Sequence, residues 1–257
     1  MEFIQYEKKG RIAYVTINRP EVMNALHPPA NQELSQAWDD FAADPEVWLA
    51  IVTGAGEKAF CAGNDLKFQA QHGMGSVTMG SGGFGGITAR FDLFKPVIAA
   101  VNGLALGGGF EIALAADIIV AADHARFGLP EPKVGLAALA GGMHRLPRQI
   151  PIKLAMGMML TGRHVQAEEA MRLGIVNECV PGPQLKVAAE RWANEILECS
   201  PVSVRATKEA AMRGLGLSVE EAMGQSFPQT SALFRSEDMM EGVMAFAQKR
   251  KPDWKGR

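Results

Sequence analysis

Two glutamates and two glycine-containing turns are the parts of this chain whose residue types and spacing could do chemistry. Glu111 follows Gly107-Gly108-Gly109-Phe110, and the pattern predicts that it sits in the first turn of a short helix. A carboxylate there is favoured by the helix dipole, by about 0.3–1 kcal/mol. Its neighbours Phe110, Ile112, Ala113 and Leu114 are apolar, which predicts partial burial. Glu131 lies in Leu129-Pro130-Glu131-Pro132, where the following proline predicts extended backbone. The turns are Ala62-Gly63-Asn64-Asp65 and the Gly107–Gly109 run. Glycine lets a ligand approach the main chain, and an N–H at a helix start has no partner within the helix. Two such N–H groups converging from separate segments would make an oxyanion hole. Each feature also has a plainer account: a tight turn, a first-turn charge, a loop carboxylate. The four together point to chemistry.

Other chemistries find no support. Gly54-Ala55-Gly56-Glu57-Lys58-Ala59 fits a loose dinucleotide fingerprint, but Phe60-Cys61-Ala62-Gly63-Asn64 is a poor helix start, so a plain turn is expected. No P-loop and no G-x-S-x-G occurs. His27, His72, His124, His144 and His164 form no H-x-x-H or H-E-x-x-H spacing, so no metal is expected. Cys61, Cys179 and Cys199 build neither a disulfide framework nor a metal site, which predicts a reducing, cytoplasmic setting. With 26 basic against 28 acidic side chains, the net charge of −2 argues against a nucleic-acid partner. The start of the chain lacks the apolar stretch of a signal peptide. Residues 97–122 imitate a membrane span, but Asn102, Glu111 and Asp117 predict a buried strand–loop–helix–strand unit instead.

The elements that must position these residues follow from hydropathy and punctuation. Strands are predicted at 11–18, 48–53, 97–101 and 117–121, and helices at 30–43 and 110–116. Seven of the seventeen positions at 70–86 are glycine, which predicts a mobile loop unable to pack a core. Beyond Pro147 helices are predicted at 152–160, 167–173, 184–199, 201–213, 218–227 and 236–250. The alternation of strands and helices predicts an α/β core with a helical tail. At 257 residues and 47% hydrophobic, the chain can bury a core without staples.

Taken in order, the motifs resemble the crotonase (enoyl-CoA hydratase/isomerase) superfamily over essentially the whole chain. The resemblance is carried by Asn18-Arg19-Pro20, Asn24-Ala25-Leu26, Ala59-Phe60-Cys61-Ala62-Gly63-Asn64-Asp65-Leu66 and Lys95-Pro96-Val97-Ile98-Ala99-Ala100-Val101-Asn102-Gly103. It continues through Ala105-Leu106-Gly107-Gly108-Gly109-Phe110-Glu111, Phe127-Gly128-Leu129-Pro130-Glu131 and Ala245-Phe246-Ala247-Gln248-Lys249-Arg250-Lys251-Pro252. Gly82-Gly83-Phe84, Ala115-Ala116-Asp117 and the final Trp254-Lys255-Gly256-Arg257 resemble the carnitinyl-CoA dehydratase branch most closely. Asn64 departs from that branch, which has a bulky aromatic there. The apolar run at 136–140 also departs, replacing a more polar segment.

The resemblance implies an α/β crotonase fold, a spiral of ββα turns over 1–195 with a helical trimerisation region over 196–257. It implies catalysis by Glu111 and Glu131, with the Asn64 and Gly108 amides as the oxyanion hole. Met23, Ala25, Ala62, Asp65 and Leu66 would line the coenzyme A site, joined by Phe246 and Lys249 from a neighbouring subunit. The implied activity is hydration of a 2-enoyl-CoA thioester, reversibly a 3-hydroxyacyl-CoA dehydration. The alternative is a carnitinyl-CoA dehydratase or an enoyl-CoA isomerase. No cofactor is implied beyond the coenzyme A of the substrate. The implied partners are an acyl-CoA and further copies of the chain in a homotrimer or homohexamer, with no nucleic acid and no membrane. A crotonase-fold RNA binder would carry a lysine-rich helix, whereas 30–43 holds Glu33, Asp39 and Asp40 and neither Lys nor Arg.

Overall fold

The computed structural model describes residues 1–73, 80 and 82–257. Its β strands are β1 (Ile4–Lys9), β2 (Ile12–Ile17), β3 (Leu49–Gly54), β4 (Ala59–Cys61), β5 (Val97–Val101), β6 (Leu104–Leu106), β7 (Ile118–Ala122), β8 (Arg126–Gly128), β9 (His164–Gln166) and β10 (Glu178–Val180). The helices before the tail are α1 (Pro28–Ala43), α2 (Leu66–His72), α3 (Gly108–Ala115), α4 (Gly142–Gln149), α5 (Ile152–Thr161) and α6 (Ala167–Arg172). Then come α7 (Leu185–Leu197), α8 (Pro201–Gly214), α9 (Val219–Gly224), α10 (Pro228–Leu233) and α11 (Glu237–Ala247).

Among the described residues the strands form two sheets, in the orders β1-β2-β3-β5-β7-β10 and β4-β6-β8-β9. The chain visits them alternately. β3 is followed by β4, β5 by β6 and β7 by β8, each pair stepping from the first sheet to the second; the chain returns to the first sheet after β4 and β6, and after β8 only once β9 has joined the second. This is the spiral of ββα turns. β2, β3, β5, β7 and β10 run parallel to one another, and so do β4, β6 and β8, while β1 pairs antiparallel with β2 and β9 antiparallel with β8. Strands covered on both faces read as continuous apolar runs, as β5 does with all five residues buried.

The steps between sheets are held by buried amides. Asn102 Nδ2 donates to the carbonyls of Gly54, Gly56 and Ala59 at 2.9, 2.7 and 3.1 Å, and its Oδ1 accepts from Gly54 N. Asn24 Nδ2 donates to the carbonyls of Ala55 and Ala59 at 3.0 and 2.7 Å. Corners carry main-chain groups that no strand satisfies, and these two side chains pair them. Helix α1 closes one side of the core. Its Leu34, Trp38 and Phe41 recur at helical spacing and are fully buried.

Several sequence expectations need correction. Residues 70–72 end helix α2, and Phe84, Gly85 and Gly86 are buried in a 3-10 turn. The 70–86 stretch therefore contributes to the core, because Phe84 fills space left by glycines elsewhere; positions 74–79 and 81 lie outside the described residues. Glu131 opens a 3-10 turn (Glu131–Val134) instead of lying extended. Proline is tolerated in a first turn because its missing N–H would be unpaired there. Helix α4 contains Pro147, beyond which the helical region was expected to begin. Short β4, β6, β8, β9 and β10 carry too few residues to show a period. The span-like 97–122 is a unit of β5, β6, α3 and β7, with strand β6 where a loop was expected, and no described helix is long and apolar enough to cross a membrane.

Candidate active site

The parallel register of β4, β6 and β8 sets three sequence-distant motifs side by side. Cys61 pairs with Ala105, Ala105 with Phe127 and Leu106 with Gly128. Residues 62–65, 107–109 and 129–131 therefore leave the same edge of one sheet, at the carboxyl ends of its strands. The segment before α1 joins them. Leu26 bridges Asn64, Leu26 N donates to Gly63 O at 2.8 Å, and Ala62 N donates to Met23 O at 3.0 Å.

At this edge the main chain is packed too closely for side chains. A Cβ on Gly63 would stand 2.8 Å from Leu106 O and 3.1 Å from Gly108 N. A Cβ on Gly107, where φ is +54°, would stand 3.1 Å from Glu131 Oε1. A Cβ on Gly108 would collide with the Phe84 ring, and one on Gly109 with Cys61 O. Helix α3 starts at Gly108, so the Gly108 N–H has no partner in the helix. Neither the Asn64 N–H nor the Gly108 N–H donates to an acceptor among the described residues.

Glu111 is 3% exposed, on α3. Its Oε1 accepts from Gly142 N at 2.8 Å, at the start of α4. Burial pushes its carboxyl up to about 7; the Gly142 and Ala140 amides and Arg145 pull it down, while Glu131 pushes it further up. Glu131 is half-buried, and burial raises it above the usual carboxylate range. Its Oε2 is buried with no hydrogen-bond partner among the described residues. Two carboxyls with raised pKa thus flank one glycine turn, the type of perturbation found at sites of proton transfer.

The expected coenzyme A residues fall into two groups. Met23, Ala25, Ala62, Asp65 and Leu66 form one strip beside the glycine edge, with Met23 and Leu66 exposed. Within it Asp65 is committed to structure. Its Oδ1 caps α2 by accepting from Phe68 N at 3.1 Å, and its Oδ2 pairs with Arg19 Nη1 at 3.1 Å. Phe246, 87% exposed, and Lys249 belong to the other end of the chain. The α11 region is tied through Asp238 to Ser200, Lys255 and Gly256, and this chain does not bring it to the glutamates.

Sequence reasoning missed Phe84, Gln69, Gly142 and Arg145. Gln69 Oε1 accepts from Asn64 Nδ2 at 2.5 Å and holds that side chain away from its own amide. Gly141-Gly142 was a legible signal, a glycine pair ahead of a helix, but nothing local ties it to Glu111. A cavity of about 450 Å³ opens between α2 and the turn after Glu131, lined by Leu66, Gln69, Ala70, Gly73, Val134 and Leu136. Of its lining residues, Gln69 holds the Asn64 side chain, and Val134 ends the 3-10 turn that Glu131 opens. A second cavity, of about 250 Å³, lies between the large sheet and α7 and is lined by neither glutamate.

Residues 7–257 match the family model described as Enoyl-CoA hydratase/isomerase. The chain is 44% identical over 259 residues to the carnitinyl-CoA dehydratase of Salmonella arizonae, covering 99% of each. It is 42% identical to that of Proteus mirabilis, covering 97% of each. Among solved structures, an enoyl-CoA hydratase from Mycobacterium tuberculosis superposes with a TM-score of 0.93 at 40% identity, over 99% of each chain. One from Bacillus anthracis gives 0.93 at 34% identity, over 99% of this chain and 100% of that one. The fold, the motif order and these full-length likenesses agree: the chain belongs to the enoyl-CoA hydratase/isomerase family.

Proposed function

We propose that the protein is a hydro-lyase that adds water across the 2,3 double bond of an enoyl-CoA thioester, reversibly dehydrating a 3-hydroxyacyl-CoA. One observation carries this reading. The Gly107-Gly108 turn lies between Gly63 and Glu131, so an unpaired amide and a buried carboxyl face one small space. The thioester carbonyl sits with its oxygen on the Asn64 and Gly108 amides. As water adds to the β-carbon, negative charge develops on that oxygen, and each donor contributes about 3–4 kcal/mol to the transition state. One carboxyl takes a proton from the water and the other delivers a proton to the α-carbon. Adjacent carboxyls with raised pKa suit this division, since one can stay protonated beside an ionised partner. Dehydration runs the same transfers backwards.

Coenzyme A lies along Met23, Ala25, Ala62, Asp65 and Leu66, with Asp65 acting through the α2 cap. Phe246 and Lys249 reach the nucleotide from a neighbouring copy, in a homotrimer or homohexamer joined through the helical 196–257 region. The exposure of Met240, Val243 and Phe246 on α11 supports such an assembly. No cofactor is required, because the thioester itself acidifies the α-carbon. The unpaired cysteines suit a cytoplasmic setting.

The likeness to carnitinyl-CoA dehydratases favours a second reading, dehydration of a cationic carnitinyl thioester. The test is loss of enoyl-thioester absorbance with crotonyl-CoA and with crotonobetainyl-CoA. Hydration of neither would overturn the hydro-lyase reading.

A further inference from the structure

Arg145, in the first turn of α4, is a half-buried cation without a contact ion pair among the described residues. Its Nη2 donates to Thr88 O at 2.9 Å, and its Cζ stands 5.7 Å from the Phe91 ring centroid. Its side chain folds back over Gly141. A Cβ on that glycine would lie 3.4 Å from the Arg145 Cζ and would collide with Nη1. Gly141 has φ +110° and precedes Gly142, whose N–H holds Glu111 at 2.8 Å. The guanidinium is therefore packed onto the turn that grips the carboxyl.

A partly buried guanidinium is costly unless an opposite charge compensates it. Burial lowers the pKa of Arg145, and Glu111 is the acidic group that raises it again. The influence is mutual, because Arg145 pulls the Glu111 carboxyl down. Few other groups compete. Of the elements packed against α3, α4 also carries His144 and Arg148, both exposed. β4 carries Cys61, whose buried thiol is pushed up to about 12. β6 and the Phe84–Gly86 turn carry no titratable side chain. Glu131 acts in the opposite direction to Arg145.

We propose that Arg145 is a positioning residue for the hydration reaction, fixing the Gly141-Gly142 turn against Glu111 and supplying the positive charge that the Glu111 carboxylate faces. This rests on the hydro-lyase reading. An acid–base group works best when it titrates near the operating pH. Burial raises the Glu111 carboxyl, and the amides of the turn, with a smaller contribution from Arg145, act against that rise.

The experiment compares wild type, Arg145→Met, Arg145→Gln and Arg145→Lys as full chains, measuring kcat and KM for crotonyl-CoA against pH, with thermal unfolding alongside. The limb absent from Glu111→Gln identifies the Glu111 titration. In both neutral variants that limb moves up, the direction expected when a positive charge near a carboxyl is removed. With Glu111 acting as the base, a rise in its pKa lowers its ionised fraction and kcat at neutral pH, about fivefold for one unit from a limb near 7, while KM is unchanged. Lysine restores the limb but not the hydrogen bond to Thr88. An unmoved limb in the neutral variants overturns the proposal, whatever happens to kcat or Tm. If no enoyl-CoA is hydrated, the hydro-lyase reading fails separately. Direct titration of Glu111 by carbon-13 NMR in wild type and Arg145→Gln then decides whether the two groups are coupled.

Discussion

The ring of Phe84 occupies the space that a side chain on residue 108 would need. The contact joins the buried end of the glycine-rich 82–86 turn to the first residue of α3. It explains why position 108 must be glycine even though its φ is not unusual.

The two proposed oxyanion donors, the Asn64 and Gly108 amides, are separable by mutation. Gly108→Pro removes the N–H and also forces a ring against Phe84, and kcat falls by about 10²–10³ or more. Asn64→Ala keeps its amide and loses only the side-chain bond to Gln69, so its effect on kcat is mild. Steady-state kinetics with crotonyl-CoA check this. Equal damage from both would make the Asn64 side chain, not its amide, the working group.

In the proposed mechanism the two glutamates act as a unit. Glu111→Gln and Glu131→Gln each lower hydration kcat by at least ~10². The double variant falls far short of the product of the two losses, because groups working in one step are not additive. A single variant that hydrates at near-wild-type rate would remove that glutamate from the mechanism.

Glu111 also makes stability depend on pH. Its folded pKa of about 7 exceeds the ordinary 4.5, so between these values the folded state holds the extra proton. Its contribution is fully present below 4.5 and is lost as pH rises through 7. Glu111→Gln is neutral throughout, so at pH above 7 it exceeds wild type in stability by up to about 3 kcal/mol. The gap closes in mild acid. Denaturant unfolding at both pH values measures it, and a gap that widens in acid would mean the carboxyl is not held neutral by burial.

On the proposed hydro-lyase reading, the acyl group occupies the cavity between α2 and the turn after Glu131, and its lining bears on substrate choice. Leu66, Ala70, Val134 and Leu136 are apolar and Gln69 is neutral. A trimethylammonium group needs an aromatic face or a counter-charge to offset its desolvation. Crotonyl-CoA is expected to exceed crotonobetainyl-CoA in kcat/KM by at least about tenfold, the lower range for discrimination in an apolar pocket. A preference for the betaine thioester would establish the carnitinyl reading.

Much of this molecule is decided by local pattern. β2, β3, β5, β7 and α1 are legible because their apolar runs or periods exceed the noise of a few residues. The Gly107–Gly109 turn is legible because a helix must open there, and Glu111 because it follows on the same turn. The identities of Glu111, Glu131, Asn64 and Gly108 as candidates need no coordinates, only motif order. Tertiary structure alone decides that these four meet. β4, β6 and β8 are three residues each, and their parallel register depends on pairing between strands tens of residues apart, for which no local signal exists. Burial of Glu111, its grip by Gly142, the Phe84 ring behind Gly108 and the cation of Arg145 over Gly141 are likewise contacts between separate segments. A carboxyl's charge responds to whatever surrounds it in space, so its chemistry is settled only once the chain has folded around it.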